Sequence, residues 1–234
     1  MSRCVLVTGA TGALGTAVTR RFLGAGDNVV ASWRREPEAE RLAADLGGTG
    51  RSLALVRADV TDPASVAALA DEAAAAFGPV GVLVHLVGGW RGGEPVHEHS
   101  LETWDGVLSL NLRSAFLCCR ALLPGMRAAG WGRVVLVSSR TARRGRAGQA
   151  AYAVAKAGVA VLAEAIAEET RGMNVTANSI EPSTLDTPAN RAAMPNADPS
   201  RWVPVEDAAA AIAFLASEEA GQLRGARLPV HGAA

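Results

Sequence analysis

The chain has 234 residues, 23 of them Lys or Arg and 23 Asp or Glu, with 49% hydrophobic residues. Zero formal charge removes the long-range electrostatic case for nucleic acid or an anionic membrane as partner, and the apolar content excludes disorder and suffices for a large core. Three cysteines, Cys4 and the adjacent pair Cys118 and Cys119, form no disulfide framework and fit a reducing cytoplasm.

The N-terminal apolar run is too short for a signal peptide, and no stretch is expected to reach the ~18 apolar residues of a membrane span. That first run, "RCVLVT", reads as a strand and leads into "TGATGALG" and then a helical segment. Gly9, Gly12 and Gly15, with Thr11 and Leu14 between them, stand where a strand passes into a helix N-terminus. Glycines there permit a tight turn and let backbone N–H groups approach a pyrophosphate.

The second strand, "NVVASW", ends at Trp33-Arg34-Arg35. An acid at this point would favour a free ribose 2′-hydroxyl. Two guanidiniums suit a 2′-phosphate instead, with Trp33 or an arginine face against adenine, so NADP(H) is expected over NAD(H). The third strand, "SLALVRA", places Asp59 and Val60 at the carboxyl edge of a sheet, Asp59 as an adenine contact, and Thr61 or Asp62 caps the next helix.

The fourth strand, "VGVLVHLV", runs into "VGGWRGG". The following His97-Glu98-His99 places two histidines at i and i+2, which do not share a helix face, so a polar loop and no metal are expected. Asn111 lies within the apolar helical stretch from Leu108 to Leu123, where a side-chain amide costs helix propensity and needs a reason. The fifth strand, "RVVLVSS", ends at Ser139, whose hydroxyl could bond a substrate carbonyl or alkoxide. Arg140, Arg143, Arg144 and Arg146 follow; facing a cleft they would favour an anionic or acyl-carrier-bound substrate, and otherwise they form a solvated face.

Tyr152 and Lys156 are the chain's only tyrosine and only lysine. Four apart on a helix, they project from one face. A compact ammonium within about 4–6 Å favours the phenolate and can lower the tyrosine pKa, and it can bond a ribose hydroxyl in a way the planar guanidinium does not match. The sixth strand, "NVTANSI", and the late "RGARLPVHG" complete the alternation of apolar strands with alanine-rich helices. Continuous apolar strands imply cover on both faces. The expected architecture is α/β, one domain over residues 1–234, with a doubly wound parallel sheet. The helical stretches from Leu108 to Leu123 and from Ala150 to Ala167 are apolar on more than one face, so a homodimer or homotetramer is expected.

In order and spacing, TGxxGxxG, Asp59-Val60, Asn111, Ser139 and Tyr152-x-x-x-Lys156 resemble the short-chain dehydrogenase/reductases over nearly the whole chain. The resemblance implies a Rossmann-type oxidoreductase moving a hydride between a nicotinamide and a carbonyl or alcohol substrate. Tyr152 would be the acid/base and Lys156 the ribose ligand that lowers its pKa. Ser139 would orient the substrate oxygen, and Asn111 would support the lysine through a water. Val87 and Gly88 after the fourth strand would join the cofactor site. So would Pro182, Leu185 and Thr187 in "NSIEPSTLDTP", before a short lid at about 188–203 carrying Met194 and Trp202.

Three features depart from the family pattern. Gly12-Ala13 replaces the commoner middle glycine, His85-Leu86-Val87-Gly88 stands where Asn-Asn-Ala-Gly is common, and Ser183 replaces a glycine. The last two are expected to leave the catalytic residues untouched. "VGGWRGG" and "LDTPANRAAMP" locally resemble dihydropteridine reductase, which would make Trp90 a stacking wall for a pterin; loop packing is the competing reading. A cofactor-binding regulator without redox chemistry is the remaining class, and the presence of tyrosine, lysine and serine together argues against it.

Overall fold

The computed structural model describes residues 2–48 and 50–233. Its strands are β1 (Cys4–Thr8), β2 (Asn28–Trp33), β3 (Leu53–Arg57), β4 (Val80–His85), β5 (Trp131–Val137), β6 (Asn174–Pro182), β7 (Leu185–Asp186), β8 (Val203–Pro204) and β9 (Arg227–Val230). Seven of them form one parallel sheet in the order β3-β2-β1-β4-β5-β6-β9. The chain reverses direction across the sheet between β1 and β4, which opens a crevice at their carboxyl ends. The short pair β7 and β8 forms a separate parallel ribbon that the sequence pattern does not reveal.

Strand periodicity divides the core. In β1, Cys4 and Leu6 enter one apolar cluster while Val5 and Val7 enter the other, as successive side chains of a strand must. The first cluster is closed by α3 (Pro63–Phe77), α5 (Ser114–Ala129) and α6 (Ala150–Glu169), and the second by α1 (Ala13–Gly24), α2 (Glu36–Asp45) and α8 (Val205–Leu215). Asp62, one of the two residues expected to do so, caps α3 by accepting from the Ser65 N–H at 2.9 Å.

Two further helices, α4 (Leu101–Leu108) and α7 (Pro188–Ala193), lie near the carboxyl edge. A π-turn over Ser109–Arg113 joins α4 to α5. Leu101–Ala129 and Ala150–Glu169 are long and apolar enough to cross a bilayer, contrary to the sequence expectation. Both are crossover helices whose inner faces lie in the core, with 44% of each apolar window buried.

Candidate active site

The turn after β1 is built from backbone. Gly9 adopts φ +71°, a left-handed conformation that favours glycine. A Cβ on Gly9 would sit 3.1 Å from the Val87 nitrogen, and one on Gly15 would overlap the Gly9 carbonyl and Ala10. Gly15 therefore lets α1 start directly against the turn, leaving its first N–H groups aimed outward. Leu14 is buried in the core beneath it.

Beside this turn lies a cleft of about 310 Å³ lined by residues of the β1, β2, β3 and β4 ends, Gly9, Gly12, Arg34, Asp59 and Gly88 among them. Thr11, Trp33, Val60 and Val87 also border it. Asp59 Oδ1 accepts from the Thr61 N–H (2.9 Å) and hydroxyl (2.6 Å). These bonds hold its carboxyl below the usual range, with Arg34 adding a smaller pull. The two arginines separate: Arg34 borders the cleft, while Arg35 is outside its lining and paired with Glu38. Trp33 packs its ring against the Arg57 guanidinium, 5.9 Å from the ring centroid.

The second cluster gathers at the ends of β4 and β5. Asn111 sits buried in the π-turn. Its Nδ2 donates to the Val107 carbonyl (2.9 Å), four residues back, and to the Gly89 carbonyl (2.9 Å), while Oδ1 accepts from the Gly89 N–H (3.1 Å). The π-turn is the reason the helix tolerates the amide: the side chain satisfies backbone groups where the regular ladder is interrupted. Lys156 is also buried and donates from Nζ to the Val137 carbonyl at 2.8 Å. A Cβ on Gly88 would stand 2.7 Å from Asn111 Oδ1 and 2.9 Å from Lys156 Nζ, so only glycine lets both side chains converge there.

Tyr152 and Ser139 complete the group. Burial pushes the phenol above its usual pKa and the Ser139 hydroxyl draws it back. The expected lowering by the lysine is absent: Nζ lies 5.8 Å from the ring centroid and is turned to Val137. Burial depresses Lys156 itself to about 8. Ser139 Oγ also accepts from the Thr141 N–H at 3.1 Å. Ser138, which sequence reasoning passed over, ties β5 to α6 by donating to the Lys156 carbonyl at 2.8 Å; the doubled serine was the available signal.

His85 is more involved than expected. Its buried ring lies between Thr8 Oγ1 (2.8 Å) and Ser114 Oγ (3.1 Å). The Ser114 hydroxyl donates to the Leu110 carbonyl at 2.6 Å, so it must accept from His85 Nε2, and Nδ1 then accepts from Thr8. Burial first and the Lys156 charge second lower the imidazole to about 3, keeping it neutral. The fourth-strand departure thus places a neutral histidine in the field of the lysine without bonding any of the catalytic residues, while Gly88, the position shared with the family pattern, makes room for the cluster.

The other expected residues spread along the β6 end. Ser183 donates from Oγ to the His231 carbonyl at 2.7 Å, which anchors it to the chain beyond β9. Leu185 begins β7 and its carbonyl accepts from Asn190 Nδ2 at 2.8 Å. Thr187 caps α7 by accepting from the Asn190 N–H. Pro182 ends β6. Met194 is partly exposed, whereas Trp202 is buried. Trp90 is exposed on its loop, without an aromatic or cation partner among the described residues.

Among the described residues no three His, Cys, Asp or Glu side chains come together as a metal-ligand set. His99 departs from a polar loop, since its side chain is buried edge-on to Trp104, with centroids 6.4 Å apart. Sequence reasoning missed Glu181, a fully buried glutamate on β6 that pairs with Arg143.

A family model described as short chain dehydrogenase matches residues 3–198. An acetoacetyl-CoA reductase of Allochromatium vinosum is 34% identical across 99% of this chain and 98% of its own. A cis-4-hydroxycyclohexanecarboxylate dehydrogenase of Sinomonas cyclohexanicum is 38% identical, covering 98% and 95%. The 3-oxoacyl-[acyl-carrier-protein] reductase FabG of Escherichia coli is 31% identical, covering 98% and 96%. Levodione reductase superposes with a TM-score of 0.90 at 28% identity, over 98% of this chain and 96% of that structure.

Proposed function

The chain belongs to the short-chain dehydrogenase family of NAD(P)(H)-using oxidoreductases, and we propose that it interconverts a carbonyl and an alcohol with NADP(H), using Tyr152 as the acid/base. The observation that carries this reading is the convergence of Asn111 and Lys156 on Gly88, with Tyr152 one helical turn from the lysine and Ser139 beside the phenol. The glycine turn fits a dinucleotide: Gly9 and Gly15 leave a cradle that a Cβ would fill.

Gly9, Thr11, Gly12, Leu14 and Gly15 would hold the pyrophosphate end, and Trp33, Arg34, Asp59 and Val60 the adenosine. Val87, Gly88, Pro182, Leu185 and Thr187 would border the nicotinamide. Arg35 supports the 2′-phosphate less directly, because Glu38 already engages it. The bound cofactor supplies or accepts the hydride at the substrate carbon.

In reduction, Ser139 holds the substrate oxygen and the Tyr152 hydroxyl gives it a proton as the oxygen becomes an alcohol. The phenolate left behind keeps the Ser139 hydroxyl as its hydrogen-bond donor, and the Lys156 ammonium would add to its stabilisation on turning from the Val137 carbonyl toward the phenol. Asn111 keeps the loop after β4 in register through its reciprocal bonds with Gly89. A phenol held high stays protonated at neutral pH, the form that reduction needs. Oxidation, which needs the phenolate, accelerates as pH rises.

Tyr152→Phe tests the reading. With NADPH and a panel of ketones, quinones and β-ketoacyl thioesters, turnover is expected to fall by about 10³-fold, while NADPH binding, followed by its fluorescence, persists. Full turnover in that variant removes the tyrosine from the mechanism.

The groove between α4, α5 and α6 supports the self-association reading. It holds about 980 Å³ and is lined by Trp104, Leu108, Leu112, Phe116, Gly158 and Val161 among others. Phe116 and Val161 are 47% and 52% exposed, an apolar surface that a second copy would cover. Light scattering should give a multiple of 24.0 kDa; a monomer at micromolar concentration refutes it. The free, buried cysteines support a reducing, cytoplasmic setting, and residues 188–203 would serve as the substrate lid.

A further inference from the structure

The arginine run after Ser139 divides in three. Arg143 is committed to the buried Glu181 carboxylate and also donates to the Arg227 carbonyl. Arg144 and Arg146 are exposed. Arg140 alone lines a cleft, of about 310 Å³, shared with Thr184, Ala197, Asp198, Arg201 and Trp202. Its guanidinium has no hydrogen bond or ion pair among the described residues.

This cleft lies beside the catalytic cluster by chain position: Arg140 directly follows Ser139, and Thr184 directly precedes Leu185. Its charge is net positive. Arg201 also faces it, donating from Nε and Nη2 to the neutral Ala233 carbonyl at 3.3 Å each. Asp198 supplies the opposing charge, and its Oδ1 is taken up by the Ser200 N–H at 3.0 Å. Bonding to Ser200, with Arg201 nearby, holds that carboxyl below the usual range, so it stays ionised. Two guanidiniums therefore face one carboxylate, and the buried Trp202 provides an apolar wall.

Resting on the oxidoreductase reading above, we propose that the substrate carries a carboxylate and that Arg140 receives it, with Arg201 adding to the field. A guanidinium offers a planar fork that matches a carboxylate through two charge-assisted bonds. The cleft volume suits a small oxo or hydroxy acid. Arg140 thus sets which molecules present a carbonyl to Ser139 and Tyr152, and the proton transfer itself stays with the tyrosine.

The test compares small oxo acids, 4-oxocyclohexanecarboxylate and acetoacetate among them, with their methyl esters, following NADPH oxidation. The acids should exceed the esters in kcat/KM by about 10- to 100-fold. Arg140→Met should erase that preference through the KM of the acids, and Arg140→Lys should keep part of it. Arg144→Met, on the exposed side, should preserve it whole. Equal use of acids and esters by the wild type, or an Arg140→Met effect of the same size on both, overturns the proposal. Absence of NADPH oxidation with every acid, while ketones lacking a carboxylate are reduced, overturns the proposal and leaves the oxidoreductase reading standing; absence with the acids, the esters and the ketone, quinone and thioester panel alike counts against that reading itself.

Discussion

The turn after β1 and the turn after β5 both stand on the carboxyl edge of the sheet, and they are held by opposite means. The first is backbone packed on backbone: Gly9 in a left-handed conformation, and Gly15 with no room for a side chain. The second is fixed by side chains. Ser139 Oγ receives the Thr141 N–H, and Arg143 pairs with the buried Glu181. A backbone-built turn recognises what every dinucleotide shares, its pyrophosphate. A side-chain-built turn can be re-specified one residue at a time, which suits the end of the cleft where substrates differ.

The sharpest way to break this contrast is to remove the ion pair. Glu181 is fully buried and its Oε1 has no hydrogen-bond partner, so the Arg143 guanidinium is its principal compensation. Arg143→Met should cost about 3 kcal/mol in urea denaturation, because it leaves a carboxylate stranded in the core. Adding Glu181→Gln should recover much of the loss. Arg144→Met, on the exposed side of the same turn, should stay within about 0.5 kcal/mol of wild type. If Arg143→Met is equally silent, the side-chain account of this turn fails.

The same division explains what could be read from the sequence. Glycine spacing after β1, the single Tyr152-x-x-x-Lys156 pair and Ser139 are local patterns with a direct physical meaning. The doubly wound parallel sheet followed from apolar runs alternating with helices, whereas the order of its strands came from the structure. The π-turn could not be read, since Asn111 within an apolar helix signals only that something must satisfy it. Nor could the partner of Arg143 be found, because Glu181 lies 38 residues away on another strand. His85 looked like a loss of family character, and its bonds to Thr8 and Ser114 depend on three elements meeting. The tyrosine pKa went wrong because proximity on a helix face suggested charge coupling, whereas burial dominates.

Lys156 offers a second probe, through pH. Its pKa is about 8 when folded, against 10.5 unperturbed. Below pH 8 both folded and unfolded chains carry the proton, and the cost of burying the cation is present in full. Between 8 and 10.5 the folded chain sheds the proton while the unfolded chain keeps it, so stability rises with pH. The cofactor-free protein should gain about 2 kcal/mol from this group between pH 7 and 9.5. Subtracting the profile of Lys156→Met isolates the contribution; identical profiles would mean that the lysine is solvated in solution.

The smallest effect separates Arg34 from Arg35 in the backbone-built half. Arg34 borders the adenosine cleft, while Arg35 is taken up by Glu38. Arg34→Ala should raise the KM for NADPH about tenfold and leave that for NADH nearly unchanged, the loss of one charge-assisted bond to a phosphate. Arg35→Ala should raise it less, because Glu38 competes for the guanidinium in the wild type. Glu38→Gln then becomes informative: freeing Arg35 should tighten NADPH binding and make Arg35→Ala more costly in that background. Should Arg34→Ala weaken both cofactors alike, the guanidinium serves the adenine or the fold, and the preference for NADP(H) loses its support.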